Sequence, residues 1–247
     1  MDDIIVTDNF EKAWEESQIS SWKCDMESIV LFFSCFAVNV KDVYERFFSL
    51  PYDDMQPIIY LVGKIQKVMA VCGFLDDLAK QGQDIDKIKV FYLISHAEIA
   101  MNTFPHHGKN KADLVKEYFL PVISSLKYSF RLSSKSQKLV SGEKNGSSAD
   151  SILYKLRNEY AHQGDFTGRV FRQDSGSDKT TYHRFDFDWD LQGKGKMVRV
   201  CGETNLTYSQ FLNIYFSAFK SRLEEYIELR LKTQTERLKV KHSQKPV

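Results

Sequence analysis

The stretch Ile152-Leu153-Tyr154-Lys155-Leu156-Arg157-Asn158-Glu159-Tyr160-Ala161-His162 decides how the chain is read. At about 100° per residue, Ile152, Leu153, Leu156 and Tyr160 fall within about a quarter turn and predict a helix with one buried face. Ser148-Ala149-Asp150 supplies N-cap candidates at its start, and Gly164 marks its expected end. Asn158 and His162 point away from the buried face, about 40° apart, so Asn158 is placed to orient His162 at i, i+4. Arg157 stands about 140° from His162, at the border of the buried face. One straight helix does not bring guanidinium and imidazole together. Either it unwinds before Gly164, or the same helix of a second subunit completes the site.

Upstream, the three and four spacing of apolar residues repeats. It runs through Ile29, Leu31, Phe32, Cys35 and Phe36, then Val43 and Phe47, and again from Ile58 through Leu61, Val62, Ile65, Val68, Met69 and Cys72 to Leu75. Leu50-Pro51-Tyr52-Asp53-Asp54 breaks these helices, because proline disfavours helix in the residue before it and an aspartate caps the next start. Gln81-Gly82-Gln83-Asp84 ends the second long helix. Asp84 to Thr103 predicts another, stopped by Phe104-Pro105, and Lys111 to Leu132 a further one that Pro121 kinks or divides.

Downstream of Gly164 the period switches to two through Arg169–Arg172, Tyr182–Trp189 and Met197–Val200, with Gly- and Asp-rich turns between, which predicts a small antiparallel meander. Helix resumes at Thr207-Tyr208-Ser209-Gln210. The expected fold class is therefore mainly α. An N-terminal helical region spans 1–83, a core domain 84–232 with its β insertion at 168–201, and a basic, fraying tail 233–247.

Of the 247 residues, 43% are hydrophobic and 27% charged, a balance that fills a core and that disordered chains lack. The net charge of +1 argues against a protein that coats nucleic acid by bulk electrostatics, yet the charge is unevenly placed. Residues 1–30 carry two lysines and eight acids (2 − 8 = −6), residues 108–140 seven basic and two acidic side chains (+5), and residues 216–247 eight and four (+4). Ser133 to Asp150 reads as a basic loop. Cys24, Cys35, Cys72 and Cys201 lie far apart without a C-x-x-C pair, as thiols of a reducing compartment do. The acidic start Met1-Asp2-Asp3 is unlike a secretory signal, and the most apolar run, Ile29 to Val38, is too short for a bilayer, so a cytoplasmic protein without membrane contact is expected.

An Arg followed by His after four to six residues occurs by chance about 0.7 times in such a chain. Arg237 and His242 match the same spacing in the tail. The run Arg157-Asn158-Glu159-Tyr160-Ala161-His162 nevertheless resembles the R-x4-6-H motif of HEPN domains, including the polar residue after the arginine. The setting is similar too: an earlier helix carries an acid among apolar neighbours, Ala97-Glu98-Ile99, and a long final helix follows the motif. The resemblance spans roughly residues 84–232; the helices before it and the strand insertion lie outside the simplest family pattern. It implies a HEPN-like helical bundle and metal-independent RNA cleavage with no cofactor, of the kind used in toxin or antiviral defence systems. Its partners are RNA, a second copy of the chain, and a neutralising or regulatory protein. An alternative is a non-catalytic HEPN-like RNA-binding or dimerisation module, and a third is a helical adaptor without RNA.

The chemistry suits the residue types. Attack by a ribose 2′-hydroxyl needs a group that titrates near neutrality, His162, and a fixed cation for the developing phosphorane charge, Arg157, with Asn158 beside them and Glu98 and Tyr160 in support. Lys127, Arg131, Lys135 and Lys138 are the expected RNA contacts. On this reading Arg157→Ala and His162→Ala each remove most cleavage and leave folding nearly unchanged. The opposing reading pairs Arg157 with an acid such as Glu98 and leaves His162 as a helix-end residue.

Other patterns carry less. His96-Ala97-Glu98 begins a deaminase zinc signature, but no P-C-x-x-C follows. His106-His107 alone makes a poor metal site. Asp186, Asp188 and Asp190 lack the Gly and Glu of a calcium loop, and there is no phosphate-binding Gly-rich loop. No metal site is expected.

Overall fold

The structure is a computed structural model. It describes residues 41–79, 85–127, 130–132, 149–163, 167–168, 170–171, 183–190 and 197–243, with the single residues 16 and 39. The described residues are mainly helical. Its helices are α1 (Lys41–Phe47), α2 (Tyr52–Ala79), α3 (Asp86–Met101), α4 (Lys111–Phe119), α5 (Ile123–Lys127), α6 (Ala149–Gln163) and α7 (Tyr208–Ser243), with a 3₁₀ turn at Leu120–Val122. Strands β1 (Phe130–Leu132), β2 (Thr167–Gly168), β3 (His183–Asp190) and β4 (Met197–Thr204) form one antiparallel sheet in the order β1-β4-β3-β2.

Two compact units divide the chain: Met1–Gly63 with Leu223–Val247, and Lys64–Arg222. The first buries Val43, Phe47, Leu50, Met55, Ile58, Leu61 and Val62 with Leu223, Tyr226 and Ile227. The Tyr226 hydroxyl donates to the Asp54 carbonyl at 2.9 Å, and Arg230 Nε lies 3.4 Å from the Asp54 carboxylate.

The second unit is built around aromatic side chains. Tyr118 and Phe119 of α4 meet Phe211 and Tyr215 of α7 at ring separations of 5.1–6.3 Å, and Phe171, between β2 and β3, stacks at 5.2 Å on Phe211. Rings of this size supply most of the apolar burial. α6 enters the core with Ile152, Leu153 and Leu156, none of them exposed, in agreement with the apolar face read from their spacing. A reciprocal box starts α7: Gln210 N–H donates to Thr207 Oγ1 at 3.2 Å and Thr207 N–H to Gln210 Oε1 at 2.9 Å.

Several expectations change. The helix expected through Leu132 ends at Lys127; Pro121 divides it as a 3₁₀ turn, and Phe130–Leu132 pair with Gly202–Thr204 as an edge strand. A free sheet edge offers those residues backbone partners that a helix past the proline does not. The sheet has a strand at Thr167–Gly168, whereas Val170 and Phe171 of the first expected strand lie in a bend, buried, with Phe171 N–H donating to the Asp86 carboxylate at 3.0 Å; Arg169 and Arg172 lie outside the described residues. The expected fraying tail is helical to Ser243: residues 229–241 contain neither Gly nor Pro and are rich in Leu, Lys and Arg, all good helix formers.

The apolar run Ile29–Val38 lies outside the described residues. Tyr52–Leu75 is, among the described residues, the one helix long and apolar enough to cross a membrane by length and composition, with mean hydropathy 1.6 over an 18-residue window. Its stripe Met55, Ile58, Leu61, Val62, Ile65, Cys72 and Leu75 is buried in protein, whereas Tyr60 and Phe74 are exposed.

Candidate functional site

α3, α4 and α6 pack against one another. α3 buries Val90, Leu93, Ile94 and Ala97, and this turns Phe91, Ser95 and Glu98, at i, i+4 and i+7, along one face. α4 begins at Lys111 behind a tight entry. Asn110 caps it by accepting from Asp113 N–H at 3.0 Å, and a Cβ on Gly108 would meet Asp113 and Leu114 at 3.1 Å, so a larger residue there would require α4 to give by a few tenths of an ångström. α6 presents Arg157 next to the buried Leu156.

Arg157 is held on every nitrogen. Nη2 lies 3.1 Å from Glu98 Oε2, Nη1 donates to Asn158 Oδ1 at 3.0 Å, and Nε donates to Ser95 Oγ at 3.4 Å. The guanidinium sits 5.8 Å from the centre of the Phe91 ring, which is tilted by 50° against the Tyr160 ring at a ring separation of 5.4 Å. Glu98 Oε2 makes no directional hydrogen bond despite the short distance, so the Arg157 contact is a single-point ion pair instead of a bidentate fork. The other carboxylate oxygen, Oε1, lies 3.1 Å from Lys111 Nζ. One carboxylate thus bridges cations from two other helices. The side chains are 11% exposed at Glu98, 17% at Arg157 and 64% at Lys111, so the pair is screened from water on one side and open at the lysine.

The residues singled out in the sequence separate into three groups. Arg157, Asn158, Glu98 and Tyr160 come together, Tyr160 through Phe91. His162 is on the same helix, which stays helical through Gln163, so the unwinding alternative does not apply; the imidazole itself lies outside the described side chains. The Asn158 side-chain oxygen accepts from Arg157, a charged donor, and the expected contact of Asn158 with His162 lies outside the described side chains. Lys127 and Arg131 are described only in their backbones, in α5 and β1, and Lys135 and Lys138 lie outside the described residues.

Arg157→Ala was expected to leave folding nearly unchanged; the side chain is 17% exposed and ion-paired to Glu98, which gives the substitution a folding cost to be measured. Sequence reasoning missed Phe91, Ser95 and Lys111. The first two share a helix face with Glu98, a signal that spacing alone carries. The approach of Lys111 depends on the path of residues 102–110, which spacing does not encode.

His96 points elsewhere. Its Nδ1 lies 2.5 Å from the Tyr215 hydroxyl in the core, about 200° around α3 from Glu98, so the deaminase-like pair does not converge. Burial raises the Tyr215 hydroxyl pKa well above its ordinary value, and that of Tyr118 likewise. Among the described residues no group of three His, Cys, Asp or Glu side chains is placed to hold a metal ion. No family model, no curated protein and no solved structure matches the chain.

Proposed function

We propose that the chain is a metal-independent HEPN-like endoribonuclease acting as a homodimer. The observation that carries this reading is Arg157: a cation fixed by Ser95, Asn158, Glu98 and Phe91 yet still 17% exposed, as a preorganised phosphate contact requires. Because α6 is helical through Gln163, Arg157 and His162 diverge by about 140° on one chain. Pairing Arg157 of one copy with His162 of another removes that divergence.

In the reaction the ribose 2′-oxygen forms a bond to the adjacent phosphorus and the P–O5′ bond breaks, leaving a 2′,3′-cyclic phosphate and a 5′-hydroxyl. His162 takes the 2′-proton or returns one to the leaving oxygen, and Arg157 offsets the charge of the phosphorane. Lys127, Arg131, Lys135 and Lys138 belong to the same proposal as contacts to the RNA backbone, as do a toxin or antiviral setting, a neutralising or regulatory partner and a cytoplasmic location.

One observation favours the second reading, a non-catalytic HEPN-like RNA-binding or dimerisation module: Glu98 already occupies Arg157. Incubation with single-stranded RNA in excess chelator separates the two. Cleavage leaving 2′,3′-cyclic phosphate ends supports the nuclease, binding without cleavage selects the module, and neither binding nor cleavage overturns both.

A further inference from the structure

Glu98 stands where a ligand oxyanion would stand. Its two oxygens each meet a cation at 3.1 Å, Lys111 at the start of α4 and Arg157 on α6, and a tetrahedral oxyanion presents two oxygens to two donors in the same way. Three features set this apart from an ordinary ion-pair staple. The carboxylate bridges two cations, so the cluster carries 2 − 1 = +1 with its own anion in place. The Arg157 contact lacks hydrogen-bond direction, so the carboxylate holds it by charge alone and forgoes the fork that a guanidinium offers to phosphate. The opening lies at Lys111, whose side chain is 64% exposed, beside the exposed His106, His107 and Lys109 of the loop before α4.

We propose that Lys111 and Arg157 form a two-cation seat for a phosphate oxyanion and that Glu98 is its built-in competitor, displaced when the phosphate binds. Lys111 is then a phosphate-contacting residue outside the R-x4-6-H motif, and Glu98 sets the affinity threshold of the site. The proposal rests on the reading of Arg157 as a phosphate contact, but it makes no use of His162 or of bond cleavage.

The test uses inorganic phosphate as the probe, titrated into the full-length protein, its Glu98→Gln variant and the Glu98→Gln/Lys111→Gln double variant, with binding followed calorimetrically and folding by thermal melts. Removing the competing charge is expected to tighten phosphate binding at least tenfold, and adding Lys111→Gln to cancel most of that gain. Unchanged affinity in Glu98→Gln, or an equal gain in the double variant, overturns the proposal. Should Glu98→Gln fail to fold, Glu98→Asp takes its place: it keeps the charge but draws the carboxylate back by one methylene, and a gain of at least threefold is expected, with no gain overturning the proposal. Failure of the nuclease reading is a separate result, absence of RNA cleavage with the phosphate gain intact.

Discussion

Arg157→Ala combined with Glu98→Ala in a double-mutant cycle examines the core of the site. Truncating one partner of a fully buried ion pair costs about 3–5 kcal/mol, because a charge is left without compensation. The figure is smaller here. After Arg157→Ala, Glu98 still has Lys111 at 3.1 Å, but that lysine is largely solvated and such exposed pairs contribute about 0–1 kcal/mol, so a loss of about 2 kcal/mol is expected. Glu98→Ala leaves Arg157 with Ser95 and Asn158 and is also expected to cost about 2 kcal/mol. The double variant buries neither charge and should lose about 2.5 kcal/mol, a coupling of about 2 + 2 − 2.5 = 1.5 kcal/mol. Urea unfolding at constant slope measures all four corners, and in a chain of this size a loss of about 2 kcal/mol lowers Tm by about 4–8 °C. Losses that add within about 0.5 kcal/mol, or an Arg157→Ala variant as stable as the parent, would refute the ion pair as described.

The motif histidine and the tail histidine offer an internal comparison: His162→Ala should lower cleavage about a hundred- to ten-thousandfold, and His242→Ala should leave it unchanged. Equal losses in both would assign the effect to something other than the motif. Asn158→Ala should give a smaller loss, because it frees one nitrogen of Arg157 while Ser95 and Glu98 still hold the others; a loss as large as that of Arg157→Ala would make Asn158 a direct participant. Stability should fall as pH rises above 10. The Tyr118 and Tyr215 hydroxyls have pKa values raised by burial above the ordinary 10.0, so the unfolded chain releases those protons first. The stabilisation is complete below about pH 10 and is lost as pH climbs toward the folded values. Denaturation midpoints that stay flat from pH 9 to 11 would contradict this.

How far the sequence leads depends on the residue. Periodicity located α6 and its buried Ile152, Leu153 and Leu156, since a helix with one apolar stripe has little freedom over which side it buries. Thr207 and Gln210 announced the start of α7 for the same local reason: a capping box is written within four residues. The strand at Phe130–Leu132 was not legible, because its pairing with Gly202–Thr204 joins segments some seventy residues apart and overrides local pattern. The long helical tail was obscured by its polarity; its helical propensity is continuous although its hydrophobic signal fades. At the site, Arg157 and Glu98 were each found, Arg157 from the motif and Glu98 from its apolar setting. Their direct contact was foreseen only on the reading opposed to catalysis. Ser95 shares the Glu98 face by spacing alone, whereas Lys111 required the packing of three helices to be known.

The most direct measurement of the two-chain site mixes two inactive proteins. Arg157→Ala retains His162, and His162→Ala retains Arg157, so a mixed dimer holds one composite site with both groups and one with neither. With random exchange about half the dimers are mixed and half of their sites are intact, so an equimolar, subunit-exchanged mixture should recover about a quarter of the parental RNA cleavage in chelator. Recovery of none, from two folded proteins that exchange subunits, would contradict a site built from Arg157 of one chain and His162 of the other.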